Sequence, residues 1–337
     1  MKLVFRVAAS VGLLACAASM ATAQFEGELT AKRRLFPGVG NGIRAVRRGR
    51  DGRTYVLNSQ GVLVFDAKER QLTTINAPAA ALANSKSAEP GISFAEDCDI
   101  AADGTVYVAD RAANLVAVYS SDGARLRSIA VNAPLSVAAL PDGEVAVSTL
   151  HDPHLITVFE KNGREIRDFG ELEDISSRTD MNRFLNSGFL ASDALGHVYY
   201  AFVYTPEPTV HQFDVNGYAT QVIQYAEIDA FAPAQAARKE IERQEKRGKQ
   251  PAFKPILTAI AVVRETGEVW IALHSRLLRF DQEGNRQATY QLYTPEGTRL
   301  EASTILVDNN RIIVGNDPLG VFEFERPDIK LEQKSGK

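Results

Sequence analysis

Short runs of five or six apolar or alternating residues recur along the chain, each ending in a turn before it reaches the length of a helix. The clearest stretch is AEDCDIAADGTVYVADRAANLVAVYSSDGARLRSI, from Ala95 to Ile129. It reads as a strand, an Asp103-Gly104 turn, a second strand, a polar loop, a third strand, an Asp122-Gly123 turn and a fourth strand. Asp-Gly between alternating apolar runs predicts a hairpin with both turn residues at φ > 0.

The same pattern returns in Ile43 to Ile75, Leu135 to Phe169, Phe189 to Ile223, Ile256 to Leu292 and Ala302 to Phe324. Its first turns fall at Asp51, Asp103, Asp142, Leu195, Thr266 and Asn309. These spacings fit a unit of about 40 residues with insertions, the period of a four-stranded propeller blade. The expected fold is therefore all-β: a six-bladed β-propeller of four-stranded antiparallel blades. The sixth copy has only three strands, and Gly27 to Phe36 has the pattern of a fourth. That segment is expected to complete the last blade and close the ring, hiding an open edge.

These units, with Val106-Tyr107-Val108-Ala109-Asp110 followed by Val116-Ala117-Val118-Tyr119-Ser120-Ser121-Asp122-Gly123, resemble the NHL-type (TolB-like) six-bladed β-propellers. The resemblance covers nearly all of the chain after its leader. It implies architecture more than activity, because that superfamily includes protein-binding modules, lactonases, lyases and exported bacterial proteins.

The leader itself is Lys2 and Arg6 ahead of an apolar stretch, then Ala21-Thr22-Ala23, the pattern of a signal peptide over residues 1–23. An alternative takes Leu13-Leu14-Ala15-Cys16 as a lipobox, with Cys16 lipid-anchored. The expected location is periplasmic or secreted. The propeller is expected over 24–327, with a polar tail at 328–337. Without the leader the chain carries 36 basic and 42 acidic residues, a net charge of −6, which argues against an anionic partner, nucleic acid included. Cys98 is then the one remaining cysteine, read as a small buried apolar residue.

In an antiparallel blade of strands A to D, the A–B and C–D turns share one face, and the B–C and D–A connections share the other. The long connections Ala77 to Phe94, Gly170 to Gly188 and Ala226 to Pro255 are all D–A links, so they mark a binding face. The last, an insertion at 226–255, holds a charged helix predicted over Pro233 to Arg247. It is expected to be a solvated insertion or a lid or docking element.

Candidate ligand residues on that face are Arg44, Asn58, Asp97, Asp110, Arg111, Glu301 and Asn316. For Asn58 and Asp110 the competing role is holding a turn through side-chain to backbone hydrogen bonds. His151, His154 and His274 share the face, but as loops two blades apart they would have to reach far inward to share one zinc ion. Resemblance to gluconolactonase-type propellers implies an alternative site for a divalent cation, calcium or zinc, at Glu96, Asp97, Asn186 and Glu301. No Gly-x-Ser-x-Gly elbow, phosphate loop or His-Glu-x-x-His occurs.

The sequence thus points to an exported, monomeric, non-catalytic binding propeller without a cofactor, whose partner is an envelope protein or a small ligand. The alternative is a metal-dependent lactonase, hydrolase or lyase.

Overall fold

Twenty-five strands arrange themselves as six sheets around an axis in the computed structural model, which describes residues 25–76, 91–225, 232–247, 253–308 and 310–327. The leader, Cys16, the tail 328–337, Asn309 and the centre of the first long link lie outside the described residues.

Two strands precede the blades, β1 (Phe25–Thr30) and β2 (Arg33–Leu35). Blade one is β3 to β6 (Ala45–Arg48, Thr54–Asn58, Gly61–Phe65, Gln71–Ile75), and blade two is β7 to β10 (Ala95–Ile100, Val106–Asp110, Leu115–Tyr119, Arg125–Ala130). Blade three is β11 to β14 (Pro134–Ala139, Val145–Thr149, His154–Phe159, Glu165–Glu171). It is followed by helix α1 (Thr179–Leu185) and then blade four, β15 to β18 (Gly188–Ser192, Val198–Phe202, Thr209–Phe213, Ala219–Gln224). Helix α2 (Ala232–Arg247) leads to blade five, β19 to β22 (Ala259–Val262, Val269–Leu273, Arg276–Phe280, Arg286–Tyr293). Blade six is β23 to β25 (Thr304–Val307, Arg311–Asn316, Gly320–Glu325), completed by β2.

The expected closing segment divides its work. Only Arg33–Leu35 pairs with blade six, antiparallel to β25. The residues before it form β1, which adds to blade five as a parallel fifth strand against β22. One N-terminal segment therefore covers the outer edges of two neighbouring blades. Helix α1 is a second departure, since one helical insertion was expected and two helices are found among the described residues.

The turns also differ from the pattern expected of Asp-Gly. Gly104 has φ +86°, but Asp103 does not adopt positive φ. The Gly104 N–H donates to Ala101 O and the Ala101 N–H to Thr105 O, the pairing of a type I turn followed by a left-handed glycine. The Asp103 carboxylate accepts the Thr105 N–H at 3.0 Å, and Asp51 and Asp142 do the same for Arg53 and Glu144. Aspartate is selected for this side-chain acceptor and glycine for the backbone.

Second-strand aromatics cement the blades. Tyr55 packs onto blade two, Tyr107 onto blade three, Tyr199 onto blade five and Trp270 onto blade six, all buried. Cys98 lies in the same kind of interface, its thiol pushed up by burial. Leu35 is 1% exposed, between blade six and blade one. Leu35→Ala is expected to lower unfolding free energy by about 3 kcal/mol. Leu126→Ala, on the outer strand β10, should change it by less than about 0.5 kcal/mol. Urea unfolding midpoints compare the two.

Candidate functional site

The face carrying the long links holds two sites, one at the channel mouth and one beneath α2. At the mouth the structure brings Arg44 and Arg111 together around Phe94. The Arg44 guanidinium lies 3.8 Å from the ring centroid and that of Arg111 5.2 Å. Both pair with Glu96, at 3.5 and 3.0 Å. Asn58, Asp110 and Asn316 spend their side chains on backbone groups, of their own turns and of the links that enter the same blades. Asp110 accepts the N–H groups of Ser93, Phe94 and Ala113 at 2.6, 3.0 and 3.2 Å. The Asn58 amide donates to Val39 O and accepts from Gln60 N–H. Asn316 donates to Glu301 O and accepts from Leu319 N–H. Short Asx side chains at these corners supply the backbone partners that an irregular turn lacks.

Asp97 lies deeper, on the channel axis. It is 3% exposed and pairs with Arg47 at 2.8 Å, a residue sequence reasoning passed over in favour of Arg44. Its other oxygen accepts from the Ser136 hydroxyl at 2.5 Å and the Val137 N–H at 3.3 Å. Burial pushes the Asp97 carboxyl up, while Arg47 and Ser136 pull it back. The signal for Arg47 was a long charged residue inside an innermost strand, a kind of position that, Arg48 and Glu96 apart, holds apolar or short polar side chains. The mouth lined by Arg44, Arg47, Glu96 and Asp97 encloses only about 20 Å³, room for a single water.

The four proposed cation ligands are not gathered at one point. Glu96 and Asp97 line this mouth, Glu301 lines the cavity under α2, and Asn186 lines a third cavity, beside Tyr200. The Asn186 amide donates to Glu173 O and Asn182 O and accepts from Glu173 N–H, which fixes the link after blade three. Among the described residues no three His, Cys, Asp or Glu side chains are placed to hold an ion.

A cavity of about 830 Å³ lies between α2, blade five and the link into blade six. Helix α2 docks through Ala234, Ala237, Ile241 and Gln244, with Ile241 against Met181 and Leu185 of α1. Alanines let the helix come close, so a sequence with one large apolar residue still buries a face. The cavity wall is apolar at Pro233, Ala236, Phe253, Ile256 and Leu273. Its polar groups are Lys254, His274, Arg276, Arg299, Glu301 and Glu240. His274, at φ +57°, turns its ring towards Glu301, with 3.8 Å between Nδ1 and the carboxylate. Arg243 and Gln244 hold Glu240, lowering its carboxyl to about 2. With Glu240 paired inside its own helix, the surplus charge facing the cavity is positive.

His151 is exposed, and His154 faces Asp168 at 3.4 Å. On the turn face His197 bonds Asp193 at 2.7 Å. His211 stands edge-on to Phe202 in blade four, with Glu173 at 3.5 Å. Burial pushes its imidazole below the usual value, opposed by Glu173.

No protein-family model matches the chain, and no curated protein does. Solved structures do match. A streptogramin B lyase superposes with a TM-score of 0.52 at 11% identity, over 88% of this chain and 87% of that one. Virginiamycin B lyase from Staphylococcus aureus, in a catalytically inactive form with Quinupristin, gives 0.52 at 12% identity over 87% of each chain. The extracellular domain of a putative hybrid two-component system from B. thetaiotaomicron gives 0.52 at 12%, over 86% of this chain and 34% of that one. Identity this low makes the likeness one of fold, and with the sheet topology it defines the chain as a six-bladed β-propeller. No helix among the described residues is long and apolar enough to cross a membrane.

Asp97→Ala leaves Arg47 unpaired inside the channel and should cost about 3–5 kcal/mol, whereas the joint Arg47→Met and Asp97→Leu replacement should cost less. Chemical denaturation of both variants checks this. Because the folded-state value of His211 lies below the unfolded value of 6.5, the unfolded chain takes up the proton first as pH falls. Stability should therefore drop as pH passes below about 6.5, and the drop should be smaller in His211→Gln. Urea midpoints at pH 7.5 and 5.5 measure the difference.

Proposed function

We propose that this protein is an exported, non-catalytic binding propeller that takes a small organic anion with a largely apolar body in the cavity between α2, blade five and the link into blade six. The observation that carries the reading is the cavity's make-up. A volume of about 830 Å³ with apolar walls and a few convergent polar groups is the usual form of a small-molecule site. Lys254 and Arg299 outnumber Glu301, which favours an anion. Helix α2 supplies one wall and so acts as a cover docked on α1 rather than as a solvated insertion. The leader pattern at residues 1–23 supports export, as does the likeness to an extracellular domain.

Two of the neighbouring folds are named as lyases. We do not extend that activity to this chain, because Glu96, Asp97, Asn186 and Glu301 line three separate cavities.

A titration with 8-anilinonaphthalene-1-sulfonate, an aromatic anion, followed by its fluorescence, tests the reading. Ala236 is exposed at the cavity wall, so Ala236→Trp should fill the space without disturbing the core. The folded wild type should bind the probe saturably, and Ala236→Trp should weaken binding at least tenfold with an unchanged melting temperature. Equal binding by the two would overturn the assignment.

A further inference from the structure

The channel has a second mouth, on the face of the tight turns, and its dimensions are unlike those of the first. Between the inner strands of blades one, four, five and six it opens into a cavity of about 490 Å³. The Arg47–Asp97 pair separates the two spaces, since Arg47 lines both. Leu190, Ile260, Ile305 and Val307 supply apolar walls, and the charged lining is Arg47, Arg48, Arg50 and Arg264 against Asp99, Glu265 and Asp308, a surplus of one positive charge.

Arg48, Arg50 and Arg264 are held to different degrees. Arg48 donates to Thr54 and Gly52 O and pairs with Asp308 at 3.2 Å, and Asp308 is shared with Arg311 at 3.3 Å. Arg264 reaches Asp99 only at 3.4 Å, while the same Asp99 oxygen already accepts the Ala139 N–H at 2.8 Å. Arg50 is exposed and has no ionic partner among the described residues. Two guanidinium groups therefore line a cavity of ligand size with donor capacity unused or weakly used.

We infer that this second mouth binds a small organic carboxylate, with its head between Arg50 and Arg264 and its short aliphatic body against Leu190, Ile260 and Ile305. A guanidinium presents a planar fork that matches a carboxylate and gains strength where apolar walls exclude water. The surrounding connections are tight turns, so the site needs little ordering on binding. It is separate from the cavity under α2 and does not depend on it.

Isothermal titration of the propeller with butanoate, with butanamide as its uncharged counterpart and inorganic phosphate as a bare anion, tests the inference. Butanoate should bind saturably and butanamide should not. The double variant Arg50→Gln with Arg264→Gln should weaken butanoate at least tenfold, and Arg50→Gln alone, altered only at an exposed side chain, should weaken it measurably. Ala236→Trp should leave butanoate binding unchanged. Absence of butanoate binding, or binding indifferent to both arginine variants, overturns the site. Loss of binding in Ala236→Trp would move butanoate to the other cavity and overturn it equally. Phosphate bound as tightly as butanoate would overturn the role given to the apolar walls.

Discussion

The innermost strand of every blade has a free edge, and the ring depends on how those edges are satisfied. Side chains from the preceding blade supply the acceptors. Thr304 of blade six accepts the Val46 N–H of blade one at 3.1 Å. Asp97 and Asp99 of blade two accept from Val137 and Ala139 of blade three. Ser136 of blade three accepts the Leu190 N–H of blade four at 2.9 Å. An unpaired backbone donor at this depth would be costly, so short polar residues recur at positions that otherwise read as core.

This rule also explains where the channel is open. Around blade five the inner strands meet through Leu190, Ile260 and Ile305, and these line the wide mouth. Where polar bridges tie blades one to four, the axis is filled by Arg47, Asp97 and Ser136. The cavity thus opens beside blade five, where apolar side chains of the inner strands line the axis in place of the buried polar bridge of Arg47, Asp97 and Ser136.

Much of the architecture was legible because a blade is a local object. Asp103, Gly104, Tyr107 and their counterparts act within some thirty residues, so the repeat announced both strand number and blade number. Candidate site residues were harder to place, because their fate depends on partners far away in sequence. Arg44, Glu96 and Arg111 do meet, through Phe94. Asn58, Asp110 and Asn316 serve backbone groups of turns and links, a role that was visible in their residue type. Arg50 and Arg264 carried no local signal, because which turn residues reach the channel is set by the axis that six blades create together. Helix α1 escaped notice because seven residues with only Met181 and Leu185 as its buried positions give too short a period to read. The docking of α2 was hidden by its alanines, whose small size is what permits the approach.

The N-terminal clasp also sets an order of events. Arg33 bonds Glu323 across 290 positions of sequence, and β1 and β2 bind blades five and six, which follow the other four blades along the chain. Closure of so long a loop carries a large entropic cost and slows the final step. Blades one to four are made of strands close together in sequence, whereas sealing the disc joins β1 and β2 to strands nearly the whole repeat array away, so the ring closes through its most distant contacts.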